Sequence, residues 1–158
     1  MSTNSRIGII RSDGSVDSIY CHWDGYYEHN GLILFNEYQN LSKINSLIKL
    51  RSTSFLDENV EPCTDQNHSF KDPCNGVAIA YCRDRSERKC YINHARNISV
   101  FFKNSICFIE EYFYLYDENT CKWLTMSAYS KDMLVSLEEK LKELDLIDEP
   151  VYEMGGIK

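Results

Sequence analysis

No run of apolar residues in this 158-residue chain approaches the ~20 that a membrane-spanning helix needs. The longest, such as Gly31-Leu32-Ile33-Leu34-Phe35, are a few residues long. The first residues, Met-Ser-Thr-Asn-Ser-Arg, are polar and lack the apolar stretch of a secretory signal, so the expectation is a cytosolic protein without membrane contact. Gly76 stands alone and the other glycines are scattered, so there is no glycine-rich loop to cradle a phosphate. Neither a Gly-x-Ser-x-Gly elbow nor a His-Glu-x-x-His helix occurs. The case for an enzyme weakens accordingly, and no cofactor is expected.

Paired C-x-x-C ligands are also missing. The seven cysteines, Cys21, Cys63, Cys74, Cys82, Cys90, Cys107 and Cys121, are widely and irregularly spaced. An odd count without a signal peptide points to free thiols in a reducing compartment. The best metal set would be Cys63, His68 and Cys74 with Cys82 or Cys90, but its spacing is unlike a zinc knuckle and no metal is expected.

What the chain does have is a core and an uneven charge. With 43% hydrophobic and 13% aromatic residues it can fill one domain spanning residues 1–158. The net charge of −7 disfavours non-specific nucleic-acid binding. Acids crowd the C-terminal segment at Glu138, Glu139, Glu143, Asp145, Asp148, Glu149 and Glu153, whereas bases gather at Arg83, Arg85, Arg88, Lys89 and Arg96. Such polarity suits a small anionic ligand at the basic segment or a basic protein at the acidic face. A homodimer also stays open.

Arg6–Arg11 and Val16–Trp23 are strand-like runs separated by Asp13-Gly14, which predicts an N-terminal hairpin. Alternation places Ile19, Cys21 and Trp23 on one face, so Trp23 is expected in the core. Helices are expected over Gly31–Tyr38 and Leu41–Arg51, the second capped by Asn40 or Ser42. Residues 52–76 hold two of the three prolines and read as a long loop. Strands are expected at Val77–Cys82, Ile98–Phe102 and Ile106–Tyr116, with a hairpin of Glu111–Tyr116 against Cys121–Met126. A Ser130-capped amphipathic helix over 130–146 follows the 5–126 core, and residues 150–158 form a fraying tail. The fold class is α+β with a mainly antiparallel sheet.

Two constellations carry candidate chemistry. Tyr20, His22 and Asp24 share a strand face beside Tyr26; a ligand-facing surface or an acid–base pair of His22 and Asp24 competes with a plain structural corner. Tyr81, Arg83 and Arg85 would extend one strand face, where guanidiniums suit phosphate or carboxylate and tyrosine can stack; simple pairing with Asp84 and Glu87 competes with that reading.

The combination of "SRIGI", "DGSV", "SIYCHWDGY", "HSF" at His68–Phe70, "AYCRDR" at Ala80–Arg85 and "EEYFYLYDENTCKW" resembles a group of small uncharacterised proteins of tailed bacteriophages and prophages, from Ser5 to about Trp123. The resemblance implies a phage accessory protein in the bacterial cytoplasm that inhibits a host or defence protein, in an anti-CRISPR-like or other counter-defence role, or sequesters a nucleotide-like signal. On that reading the ligand-facing residues are Tyr20, His22, Asp24, Tyr26, His68, Tyr81, Arg83 and Arg85. The alternative is a small hydrolase or transferase of a phosphorylated substrate, with His22 and Asp24 catalytic and Arg83 and Arg85 as the anion clamp.

Overall fold

The computed structural model describes residues 2–105, 109–129 and 134–148. Its centre is a mixed, mostly antiparallel sheet whose main path runs β4-β3-β2-β1-β6-β7-β8. The hairpin β1 (Ser5–Ile10) and β2 (Val16–Cys21) forms as the sequence predicts, with Gly14 at φ +87° in the turn. Parallel β6 (Tyr112–Asp117) flanks β1, and antiparallel β7 (Lys122–Ser127) follows it. The outer edge of β2 is shared: β3 (Thr53–Phe55) takes its end at Cys21, and β5 (Asn93–Ala95) takes Val16 to Ser18. The short strands β4 (Ile79–Ala80) and β8 (Val135–Ser136) complete the path.

Alternation divides the side chains between two faces. Ile7, Ile9, Ile19, Tyr114 and Trp123 pack under α1 (Leu32–Glu37), α2 (Leu41–Lys49) and α5 (Leu137–Glu143), through Leu34, Ile44, Leu47, Leu137 and Leu141. Val16, Phe113 and Leu115 face the other way, onto Phe101 of α4 (Ile98–Ser105). Asn40 caps α2, accepting from the Ser42 and Lys43 amides.

Several expected elements take another form. Ile98–Phe102 is helical: the Asn97 side chain accepts from the Val100 amide, and Phe101 fills the second core, so packing overrides β-branched propensity. The expected strand over Val77–Cys82 ends after Ala80, and Tyr81–Arg85 is the helix α3. The C-terminal helix starts at Leu137 under a Ser136 cap, because Val135 and Ser136 first pair with β7; the expected start at Ser130 lies outside the described residues, as does the 150–158 tail. The 52–76 loop contains β3 and is tied by an Asn59–Val77 bridge. Trp23 is 43% exposed rather than buried. β2 stops at Cys21, and fully buried Asn30 and Leu56 fill the core beyond it; the Asn30 amide donates to Ser5 Oγ and Cys21 Sγ. The buried tryptophan is Trp123, which donates to the Tyr38 carbonyl at 2.7 Å. No helix among the described residues is long and apolar enough to cross a membrane.

Candidate functional site, a stapled basic loop

The site grows from Asp84. Its Oδ2 accepts from the Ala80 amide at 2.7 Å, just ahead of α3, and its Oδ1 accepts from Arg83 Nε at 2.8 Å. His68 reaches in from the long loop. Its Nδ1 accepts from the Cys74 amide at 3.0 Å, so the ring proton assigned by this network sits on Nε2 and is donated to Asp84 Oδ2 at 3.1 Å. Burial pushes the Asp84 carboxyl up, but Arg83, the Ala80 amide and His68 together hold it below its ordinary value. Arg83 also donates to the Val60 carbonyl at 2.6 Å and the Ala78 carbonyl at 2.8 Å. His68, Asp84 and Arg83 are therefore a structural knot that fastens the long loop to α3.

Outside this knot the chain turns sharply. Ser86 adopts φ +59°, the Glu87 amide donates to the Tyr81 carbonyl, and Cys90 returns to form a disulfide with Cys82, their Cα atoms 6.1 Å apart. The expectation of seven free thiols is thus corrected, and Cys82 and Cys90 are withdrawn from the metal set. The reason is tertiary: a short helix followed by a left-handed residue brings together two cysteines eight positions apart. Among the described residues the free cysteines are Cys21, Cys63, Cys74 and Cys121.

The loop so closed exposes Arg85, Ser86, Glu87, Arg88 and Lys89, and the chain just beyond it exposes Tyr91 (60%) and Ile92 (40%). Phe70 lies stacked on Tyr81 with ring centroids 5.9 Å apart, and the Arg85 guanidinium sits 4.9 Å from the Phe70 centroid. Tyr81, Phe70 and Arg85 form a layered wall at the foot of the loop. From Arg83 to Arg96 there are five bases against two acids, on a chain whose net charge is −7.

The expected placement of Tyr81, Arg83 and Arg85 on one strand face is corrected, since they lie on a helix: Arg83 turns inward, while Arg85 and Tyr81 meet through Phe70. Neither charge nor strand pattern singles out Phe70, Tyr91 and Ile92, although Phe70 closes the "HSF" stretch and the last two adjoin Cys90 and the basic run. Tyr20, His22, Asp24 and Tyr26 form a separate group. Tyr20 and His22 share a 2.5 Å hydrogen bond, and Tyr20 also donates to Asn4; burial pushes its hydroxyl up to about 12, with Tyr81 and Glu110 adding to the effect. Asp24, at φ +54°, accepts from Tyr26 at 3.2 Å. His22 and Asp24 are thus each held by a tyrosine.

Comparison with known proteins gave no match to a family model, to a curated protein or to a solved structure.

Proposed function

We propose that this chain is a non-enzymatic binding protein that docks an acidic surface of a partner protein on the loop closed by Cys82 and Cys90. One observation carries the reading: Arg85, Arg88, Lys89, Tyr91 and Ile92 stand exposed around a disulfide-closed turn on an otherwise acidic molecule. A closed turn loses less conformational freedom on binding than an open one. Arginine and tyrosine supply the contacts that recur as anchors of interfaces, and the basic charge selects an acidic partner. In the setting that the phage resemblance implies, the partner is a host or defence protein and the role is counter-defence. Because a reducing cytoplasm opens disulfides, the closed loop is the oxidised form of this surface.

The test is a pull-down from bacterial lysate with the wild-type chain and with an Arg88→Glu/Lys89→Glu variant. The wild type should retain an acidic protein that raised salt releases, and the variant should bind it at least roughly tenfold more weakly, because like charges across an interface cost several kcal/mol. Equal retention by both chains, or none by the wild type, would sink the reading. Retention of a nucleotide in place of a protein would instead mark the loop as a small-anion site.

A further inference from the structure

We propose that a second site, the groove between residues 27–31, the β6–β7 hairpin and α5, binds an organic cation of the alkylammonium class. The groove has a volume of about 300 Å³, and Tyr27, Glu28, Tyr112, Tyr129, Lys140 and Leu144 are among its walls. It is independent of the basic loop.

Three tyrosines give the groove its character. Tyr27 and Tyr112 meet edge to face at 5.1 Å and 84°, and Tyr112 meets Tyr129 at 6.4 Å and 63°. The three rings are steeply inclined to one another and line the same groove, the kind of arrangement from which a cation cage is built. The inner ring is fixed by its hydroxyl. Thr125 has one hydroxyl proton and gives it to the Phe113 carbonyl at 2.9 Å, so its oxygen accepts from Tyr27 at 3.2 Å. The outer ring, Tyr129, is 73% exposed, and Leu144 beside it is 42% exposed. These are large apolar surfaces left in water at the mouth of a groove.

The backbone under Tyr27 supports the assignment. Tyr27–Gly31 is a π-helical turn, a form rare in proteins and frequent at functional sites. It places Tyr27 inward while Glu28 remains exposed at the rim.

Charge chooses the ligand. Glu28 lines the groove, and Glu111 lies near enough to Tyr129 to push its hydroxyl's pKa up. Lys140 also lines it, but its ammonium is 3.6 Å from Glu143, so its charge is offset. A cage of ring faces with a net acidic rim favours a positive guest. The apolar surface of Leu144 favours one clothed in methyl or methylene groups. Either a free quaternary amine or a methylated lysine side chain supplies that chemistry.

Choline, a trimethyllysine peptide and 3,3-dimethylbutanol, the neutral carbon isostere of choline, distinguish the possibilities by calorimetric titration of the whole chain. At least one cation should bind saturably, and the neutral isostere should bind several-fold more weakly. Tighter binding of choline marks a small-molecule site, and tighter binding of the peptide marks a side-chain reader. Tyr129→Ala should weaken the cation about twofold to thirtyfold, the range of one cation–π contact, while Tyr129→Phe retains it. Tyr129 is exposed, so the melting temperature should hold in both variants. Glu28→Gln should weaken the cation and leave the isostere unchanged. Failure of both cations to saturate, equal binding of cation and isostere, or unchanged binding in Tyr129→Ala would overturn the proposal.

Discussion

His68 and Asp84, sixteen residues apart, meet at 3.1 Å with each side chain only 2% exposed. With the Phe70 amide bonded to the Asp84 carbonyl, the contact holds the second half of the 52–76 loop on α3, while the first half is held by β3 and by the Asp57, Glu58 and Val60 carbonyls. Asp84→Ala would leave the donors of Arg83 and His68 without their shared acceptor, so it should cost about 3–5 kcal/mol in chemical unfolding. The pH dependence has a definite sign. Asp84 is held below its ordinary value in the folded chain, so the unfolded chain binds the proton more readily. Its contribution is fully present above about pH 4 and is lost as acid protonates the folded carboxylate. Asp84→Asn should flatten the stability curve in that acid range; an unchanged curve would mean that the knot does not stabilise the fold.

The two tryptophans should report different environments. Trp123 is 5% exposed and hydrogen-bonded to the Tyr38 carbonyl, whereas Trp23 is 43% exposed against the edge of His22. Trp123→Ala should cost about 3–5 kcal/mol. Trp23→Ala should cost about 1 kcal/mol or less. Acrylamide should quench the fluorescence of Trp123→Phe, in which only Trp23 remains, far more than that of Trp23→Phe.

Some of this fold is legible in the sequence. Asp13-Gly14 announces the first hairpin, Asn40 the start of α2, and Asp117 to Thr120 the turn between β6 and β7, because each signal is local. The errors share one cause, a tertiary partner that no local pattern shows. Val77 to Cys82 has strand composition, yet the chain coils after Ala80, where Asp84 binds the Ala80 amide and His68 braces Asp84. Trp23 has the right parity for the core, but Asn30 and Leu56 already occupy it. At the candidate site the charged residues could be read from composition. The disulfide that presents them could not, since the Cys82–Cys90 spacing matches no familiar motif.

Opening the disulfide should matter more for binding than for folding. Its sequence separation is eight, so on the chain-entropy account it adds about 2–3 kcal/mol. Dithiothreitol or Cys82→Ser/Cys90→Ser should lower the melting temperature while the chain still folds, because neither large core cluster includes these residues. The freed loop should hold its acidic partner more weakly at low salt. If reduction leaves both melting and partner binding unchanged, the staple contributes nothing to either.

Gly25 tests whether the crowded segment after β2 is fixed by space or by backbone angle. A Cβ there would lie 2.8 Å from Ser5 Cβ, 2.9 Å from the Asn4 carbonyl carbon and 2.9 Å from Thr3 O. Those atoms have little room to retreat. Asn4 O accepts from the Glu111 and Tyr112 amides, and Gly25 itself donates to Thr3 O and accepts from the Tyr114 hydroxyl at 2.6 Å. Gly25→Ala should therefore cost about 1–3 kcal/mol through overpacking. Gly14 offers the contrast: its φ is +87° and nothing lies within 4 Å of its built Cβ, so Gly14→Ala should cost about 1–2 kcal/mol from backbone strain alone. Asparagine tolerates the left-handed region but takes up space. Gly14→Asn should recover much of the loss measured for Gly14→Ala, whereas Gly25→Asn should be worse than Gly25→Ala. Equal behaviour of asparagine at the two positions in thermal melts would mean that the close approach at Gly25 does not constrain this segment.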